Sequence, residues 1–398
     1  MKKYIVGFAL LFVMIQLSYG QTASLKNKMK NLIEDNFVFA AKQYQYLKAN
    51  TPDSLMPRSY VPATGKSVTS DTKWWCSGFY PGTLWYLYAH TKDENIRKEA
   101  EKRLGILEKE KYYTGNHDLG FMIYCSFGTA YKYTNNPAYK DVVAIAAKSL
   151  STRYRPTIKS IQSWNSSARL SCPVIIDNMM NLELLFWASR ETGDQRFHDI
   201  AITHADNTIK NHFRPDYSSH HVICYDPDGK VLAKKQHQGY QDESTWTRGH
   251  AWAIYGYVAM YRETKDKKYL DFAQKITDFY LNHPNLPKDK IPYWDFNAPN
   301  IPNEERDASA GAITASALLE LSKYSGAKGK RYFNDAVTMM ESLSSPAYRA
   351  ALGENNNFLI KHCVGAKGLN SEIDVPLIYA DYYYLEALLR LQNYKQKK

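Results

Sequence analysis

The sequence predicts an all-α protein, an (α/α)6 barrel of six helical hairpins, and three observations carry that reading. Apolar residues recur at helical spacing along most of the chain, while the alternation of half-buried strands is rare. A turn signature repeats: Thr91-x-Asp93, Thr134-x-Asn136-x-x-Tyr139, Thr192-x-Asp194-x-x-Phe197 and Thr264-x-Asp266-x-x-Tyr269, with a degenerate copy at Ser325. Finally, the tight turns always follow one class of helix and long loops always precede that same class. Such a chain gathers its long loops on one face. Closing six hairpins into a ring is the simplest way to bury the less charged helices, with an open superhelix as the alternative.

The elements follow in order. Residues 1–20, MKKYIVGFALLFVMIQLSYG, place Lys2 and Lys3 before an apolar run and end in small or polar residues. That is the layout of a secretory signal peptide, too short in its apolar part for a membrane span. No Cys follows the expected cut near Gly20–Gln21, so no lipid anchor is predicted, and an exported, periplasmic protein is. No composition break divides residues 21–398, which are read as a single catalytic domain. Helical patterns cover 26–48, 80–91, 94–109, 118–134, 136–151, 178–192, 196–211, 247–264, 267–283, 309–324, 330–345 and 377–392. In each turn the Thr ends one helix and the Asp or Asn caps the next. The inner ring is assigned to 80–91, 118–134, 178–192, 247–264, 309–324 and 377–392, and long loops at about 49–79, 152–177, 212–246, 284–308 and 346–376 lead into all of them but 118–134.

Composition narrows the partners. Fifty-one Lys and Arg against 40 Asp and Glu give a formal charge of +11, which favours an anionic partner. No block of consecutive basic residues suggests nucleic acid. The five cysteines are scattered and never spaced CxxC, so neither a disulfide framework nor a zinc site is read from them.

The stretch Cys172–Ser189 organises the rest: a short apolar run ends in Asp177 and Asn178, and an almost uncharged helical pattern follows at once. Alone, Asp177 reads as a helix cap. The same layout recurs at His117–Asp118, Trp246–Arg248, Asp307 and Asp374, with Trp74 and Trp75 before the first inner helix. If the ring closes, these junctions converge on one mouth. Carboxylates, imidazoles, a guanidinium and indoles around a concave mouth suit a sugar, whose apolar face stacks on indole while polar groups hold its hydroxyls. Asp118 and Asp177 share a junction type on neighbouring inner helices and are the predicted acid pair. Asp307 and Asp374 read as caps, and Arg248 as a partner of Asp242 if it is not in the site. A helix N-terminus lowers a carboxyl's pKa, whereas an acid catalyst near neutral pH needs it raised, so burial or the second carboxylate has to reverse the trend.

Four stretches, NHDLGF (116–121), IIDNMMNLELLFWAS (175–189), HQGYQDESTWTRGHAWAIYGY (237–257) and SEIDVPLIYADYYYLEALLRL (371–391), resemble the unsaturated glucuronyl hydrolases of glycoside hydrolase family 88. The resemblance spans nearly the whole mature chain and implies an (α/α)6 barrel. It also implies removal of the 4,5-unsaturated uronic acid left on oligosaccharides by polysaccharide lyases, through hydration of the vinyl ether. Asp177 matches the acid that protonates carbon 4, and Asp118 the acid that assists it; the resemblance implies no metal or organic cofactor. Substrate contacts carry over to His117, Asn178, His220, Gln238 and Arg248, and stacking or wall positions to Trp75, Trp164 and Trp252. Arg248 is then the expected partner of the uronate. The family commonly has RGQAW where this chain has Arg248-Gly249-His250, so His250 is assigned to tuning or packing. An unsaturated rhamnogalacturonyl hydrolase acting on pectin fragments, an ordinary inverting glycosidase and a non-catalytic sugar-binding protein are the competing readings.

Overall fold

The computed structural model describes residues 27–394; the predicted signal peptide lies outside the described residues. Twelve helices dominate those residues. They are α1 (27–49), α2 (Phe79–Thr91), α3 (Glu94–Leu107), α4 (Thr129–Thr134), α5 (Pro137–Ser151), α6 (Leu182–Thr192) and α7 (Gln195–His212). The second half holds α8 (Thr247–Thr264), α9 (Lys267–Asn282), α10 (Ala308–Leu321), α11 (Gly329–Leu343) and α12 (Ile378–Gln392). Around the inner ring α2 packs on α4, residues Gly120–Gly128 just before α4 pack on α6, α6, α8, α10 and α12 follow in order, and α12 returns to α2. The ring is therefore closed, as an (α/α)6 barrel requires, and the open superhelix is excluded.

The repeated turn explains the pairing. In all four full copies the Thr hydroxyl donates to the carbonyl four residues back, as Thr91 does to Leu87 and Thr264 to Met260. The next residue (Lys92, Asn135, Gly193 or Lys265) turns left-handed. The Asp or Asn then accepts the N–H two residues on and caps the outer helix. Five hairpins form in this direction. The sixth pair joins the two ends of the chain: α1 lies outside α12, where Tyr44 donates its hydroxyl to Asp381 at 2.9 Å.

Inner and outer helices differ in what they bury. Every residue of α10 is buried, because that helix meets neighbours all round. Outer helices such as α9 bury one stripe, including Tyr269, Phe272, Ala273, Ile276 and Tyr280. Close contacts in the inner ring use glycine: a Cβ at Gly82 would collide with the carbonyl of Cys125 on the neighbouring helix.

Two local features depart from the simple helical reading. Gly120–Gly128 is π-helical, entering α4 just after Asp118. Extra residues per turn widen a helix, and such insertions gather at functional sites. The long loops also carry sheet. There are two hairpins, β1 (Met56–Val61) with β2 (Lys66–Ser70) and β3 (Tyr154–Arg155) with β4 (Ser160–Ile161). An antiparallel sheet of β5 (Pro173–Ile175), β6 (Val222–Tyr225) and β7 (Val231–Lys235) then leads directly into Asp177.

Candidate active site

The N-terminal ends of the inner helices meet at one mouth of the lumen. Ile176–Asn181 forms a 3-10 turn before α6, and it carries Asp177 in its first turn. No side chain caps this turn, so Asp177 is not an N-cap. Its Oδ2 is buried without a hydrogen-bond partner, 3.5 Å from Nε2 of His221. Asp118 is equally enclosed, with Oδ1 3.3 Å from Nε2 of His117. Burial pushes the Asp118 carboxyl up; His117 opposes that shift and the charge of Asp177 adds to it. The conflict between helix end and acid function is thus resolved for Asp118 by desolvation. The two carboxyls are near enough for the charge of one to act on the other.

Around this pair the predicted residues divide. Trp75 is half-buried on the wall, its ring 5.3 Å from Phe121 and 5.0 Å from Tyr379. Trp252 makes the floor across the lumen, 5.1 Å from Phe121 and 5.3 Å from Tyr383, with its indole N–H unpartnered. Trp164 stands on the loop side, 4.9 Å from His237 and 6.5 Å from His221. Gln238 joins that wall, its N–H reaching His221 Nδ1 at 3.3 Å and its Nε2 donating to the Gly365 carbonyl at 3.1 Å.

Four expectations are corrected. His221, not His220, faces Asp177. The two neighbours lie on extended backbone leading into β6, where consecutive side chains point to opposite faces. His220 instead accepts from Arg214 Nη2 at 3.0 Å, and burial, with Arg214 adding to it, pushes its pKa down to about 4. Asn178 is a buried strut: Nδ2 donates to the Ile161 carbonyl at 2.6 Å, and Oδ1 accepts from Asn181 at 2.8 Å. Arg248 does not pair with Asp242, nor does it present a free fork. Its Nη1 donates to Asp307 Oδ2 at 2.7 Å and to the Val364 carbonyl, and Nη2 to the Gly365 carbonyl, leaving Nε unpartnered. Its guanidinium lies 4.5 Å over Trp246 and 5.4 Å over Tyr379, which keeps it on the pocket wall. Asp374 caps nothing; it is exposed and binds His362 Nδ1 at 2.6 Å. Asp307 does cap α10, accepting the N–H of Ser309 at 3.1 Å. His250 points outward between Ser219 Oγ at 3.0 Å and the Ile276 carbonyl at 2.9 Å, so its role is packing.

Sequence reasoning gave no role to Tyr379, His237 and Asn181, although all three lie inside the quoted stretches 371–391, 237–257 and 175–189. With them the mouth shows a pattern. Asp177 Oδ2, His117 Nε2, His221 Nε2, Arg248 Nε, Trp252 Nε1 and Tyr379 OH are all buried and make no hydrogen bond within the protein, although Asp177 and His221 lie 3.5 Å apart and His117 lies 3.3 Å from Asp118. Buried polar atoms are nearly always paired, so a convergent set of orphans is the imprint of a polar ligand. Indole and phenol faces between them fit a pyranose ring.

An (α/α)6 barrel with paired buried acids and aromatic walls at the loop-bearing mouth defines a carbohydrate-processing enzyme. The chain belongs to Glycosyl Hydrolase Family 88, whose profile matches residues 54–397. It is 46% identical over 376 residues to the unsaturated glucuronyl hydrolase of Formosa agariphila, covering 94% of this chain and 90% of that one. It is 33% identical to the unsaturated chondroitin disaccharide hydrolase of Streptococcus pneumoniae, covering 83% of this chain and 85% of that one. Among solved structures, an unsaturated glucuronyl hydrolase specific for heparin superposes with a TM-score of 0.88 at 45% identity, over 91% of this chain and 97% of its own.

Proposed function

We propose that this glycosidase removes the 4,5-unsaturated uronic acid from the non-reducing end of lyase-generated glycosaminoglycan oligosaccharides by hydrating its vinyl ether. The observation that carries the reading is the convergence of orphaned buried polar atoms on Asp177 and Asp118 at the aromatic mouth. A proton added to carbon 4 leaves an oxocarbenium centre at carbon 5. Water adds there, and the resulting hemiketal opens and expels the partner sugar. Asp177 donates the proton and then, as carboxylate, draws the proton from the incoming water. Asp118 resists ionisation beside it, so the pair carries less than its full double charge above the ordinary carboxylate range. That matters for a substrate bearing its own carboxylate. The wall offers it Arg248 Nε, Trp252 Nε1 and Tyr379 OH as buried donors, while Trp75 and Trp164 flank the ring.

Ultraviolet absorbance of the conjugated double bond tests the reaction directly. With unsaturated disaccharides from lyase-treated chondroitin or heparin, absorbance is expected to fall as the sugars separate. Cleavage of a saturated glycuronide at a similar rate would instead indicate an ordinary inverting glycosidase. Faster turnover of unsaturated rhamnogalacturonan fragments would move the substrate to pectin. The leader-like residues 1–20 support export to the periplasm, and mature protein beginning near Gln21 in the periplasmic fraction is the expected result. Residues 21–398 are read as one catalytic domain, since helices from both ends of the described chain complete the ring.

A further inference from the structure

The two acid-bearing segments are joined by one fully buried side chain to which no role has been assigned, Asn181. Its Oδ1 accepts the Gly120 N–H at 2.8 Å, at the start of the π-helical stretch. That fixes the amide's orientation, so Nδ2 points the other way. Nδ2 donates to Asn178 Oδ1 at 2.8 Å and to His117 Nδ1 at 3.1 Å. Asn178 has the same polarity, because its own Nδ2 is committed to the Ile161 carbonyl. A backbone N–H at one end and a backbone C=O at the other therefore set the direction of the whole chain. Neither amide can flip without putting like groups face to face. A donor facing His117 Nδ1 demands a lone pair there, and the proton of the neutral imidazole then sits on Nε2. Nε2 is the atom that lies 3.3 Å from Asp118 Oδ1.

We infer that Asn181 is a positioning residue: it fixes His117 as the Nε2–H tautomer and so sets an N–H, rather than a lone pair, 3.3 Å from Asp118 Oδ1. This rests on the proposed role of Asp118 in the acid pair. The other tautomer would turn a lone pair toward the carboxyl, able to take its proton and unable to steady the ion. The charged and titratable groups facing His117 and Asp118 from packed elements are Asp177 on the 3-10 turn, Arg153 after α5, His204 on α7 and Tyr113. Nδ1 of His117 is governed by Asn181.

Asn181→Asp is the discriminating variant. It keeps the acceptor for Gly120 N–H but sets an acceptor against His117 Nδ1 and draws the proton there. On an unsaturated disaccharide, kcat is expected to fall roughly 10²-fold or more, as wrong-tautomer substitutions do. KM should stay within about threefold, and the pH limits of activity should move. A loss of kcat with an unmoved pH profile, or a variant of wild-type rate, would overturn the inference. Because the buried variant can fail to fold, ring nitrogen chemical shifts of His117 in the wild-type enzyme read the tautomer directly, assigned by the signal lost in His117→Gln. A protonated Nε2 with bare Nδ1 supports it; a protonated Nδ1 overturns it. Wild-type enzyme inactive on every unsaturated substrate would sink the functional reading and leave the tautomer result standing.

Discussion

The two halves of the barrel lumen both bury charge, and they treat it in opposite ways. Toward the C-terminal ends of the inner helices, carboxylates are matched. Arg262 donates to Glu320 at 2.9 Å, to Glu263 at 3.1 Å and to Glu183. Arg390 donates to Glu320 at 2.7 Å and to Glu386 at 3.3 Å, and the hydroxyl of Tyr255 reaches Glu386 across the lumen at 2.9 Å. Burial raises the Glu320 pKa, but Arg262 and Arg390 outweigh it and hold it at about 2. Glu183 is the exception, kept raised by burial despite Arg262. At the mouth, the carboxyls of Asp177 and Asp118 make no ion pair with a guanidinium: their close neighbours are imidazoles, Arg248 is spent on Asp307 and two carbonyls, and Arg153, whose charge is felt at Asp118, is spent on the Gln162 and Thr114 carbonyls. Matched charge holds helices together; unmatched charge is left to act on a substrate. The difference separates a structural floor from a reactive mouth within one cavity.

The largest effect expected from this contrast is at Asp177. Asp177→Asn should lower turnover of unsaturated disaccharides by roughly 10³-fold or more, the scale of a lost acid catalyst, with an unchanged melting temperature. Glu320→Gln should do the reverse. Removing the charge costs about 1.5–3 kcal/mol, because Arg262 and Arg390 are half-buried and keep Glu183, Glu263 and Glu386 as partners. A melting temperature lower by roughly 2–4 °C, with turnover per folded molecule near normal, is the expected reading. Equal losses of activity from both would erase the distinction. Next in size, His221→Ala should cut kcat by roughly 10–10²-fold, while His220→Ala acts mainly through stability. Steady-state kinetics beside thermal melts separate the two.

The halves should also part with pH, and here the sign decides. Glu320 is held below the ordinary glutamate value, so its stabilisation is present above about 4.5 and is lost as pH falls toward about 2. Asp118 is held above the ordinary value, so its ionisation opposes folding, and its penalty disappears as pH falls through its raised pKa. Asp118→Asn should therefore raise the melting temperature at neutral pH, and the gain should vanish below about pH 4. A gain that persists in acid would mean that the substitution acts through packing.

What was legible beforehand follows the same division. The floor and the ring come from periodic features: the Thr-x-Asp turns are local, and their hydrogen bonds repeat identically in all four copies. The aspartate pair was legible because both begin an inner helical pattern, Asp177 at the end of a long loop and Asp118 after a short connection from α3. The resemblance points to His220, and telling it from its neighbour His221 requires knowing which face of a strand each occupies. Yet Val222–Tyr225 and Val231–Lys235 flank Asp226-Pro-Asp-Gly229, a readable hairpin signal. The ties that hold Arg248 were hidden for another reason. Its partners Val364 and Gly365 are carbonyls, and main-chain acceptors 116 and 117 residues away leave no mark in side-chain patterns. The π-helical stretch was equally invisible, since it depends on tertiary packing around Gly120.

The smallest expected effect lies outside the lumen and sharpens the comparison from a third side. Lys92 and Lys265 occupy the left-handed position of their turns, with φ of 57° and 58°, where the third turn has Gly193 at 74°. A left-handed side chain costs an L-residue about 1–2 kcal/mol, part of which glycine returns through its greater freedom in the unfolded chain. Lys265→Gly should thus stabilise by roughly 0.5–1 kcal/mol, and Lys92→Gly by about the same. Because the turns lie at the far end of the helices from the mouth, kinetics should not change. Melting temperatures of the single and double variants check this: the turns share no contact, so their gains should add. Sub-additive gains would mean that the hairpins do not settle independently, and that ring closure by α1 and α12 limits stability.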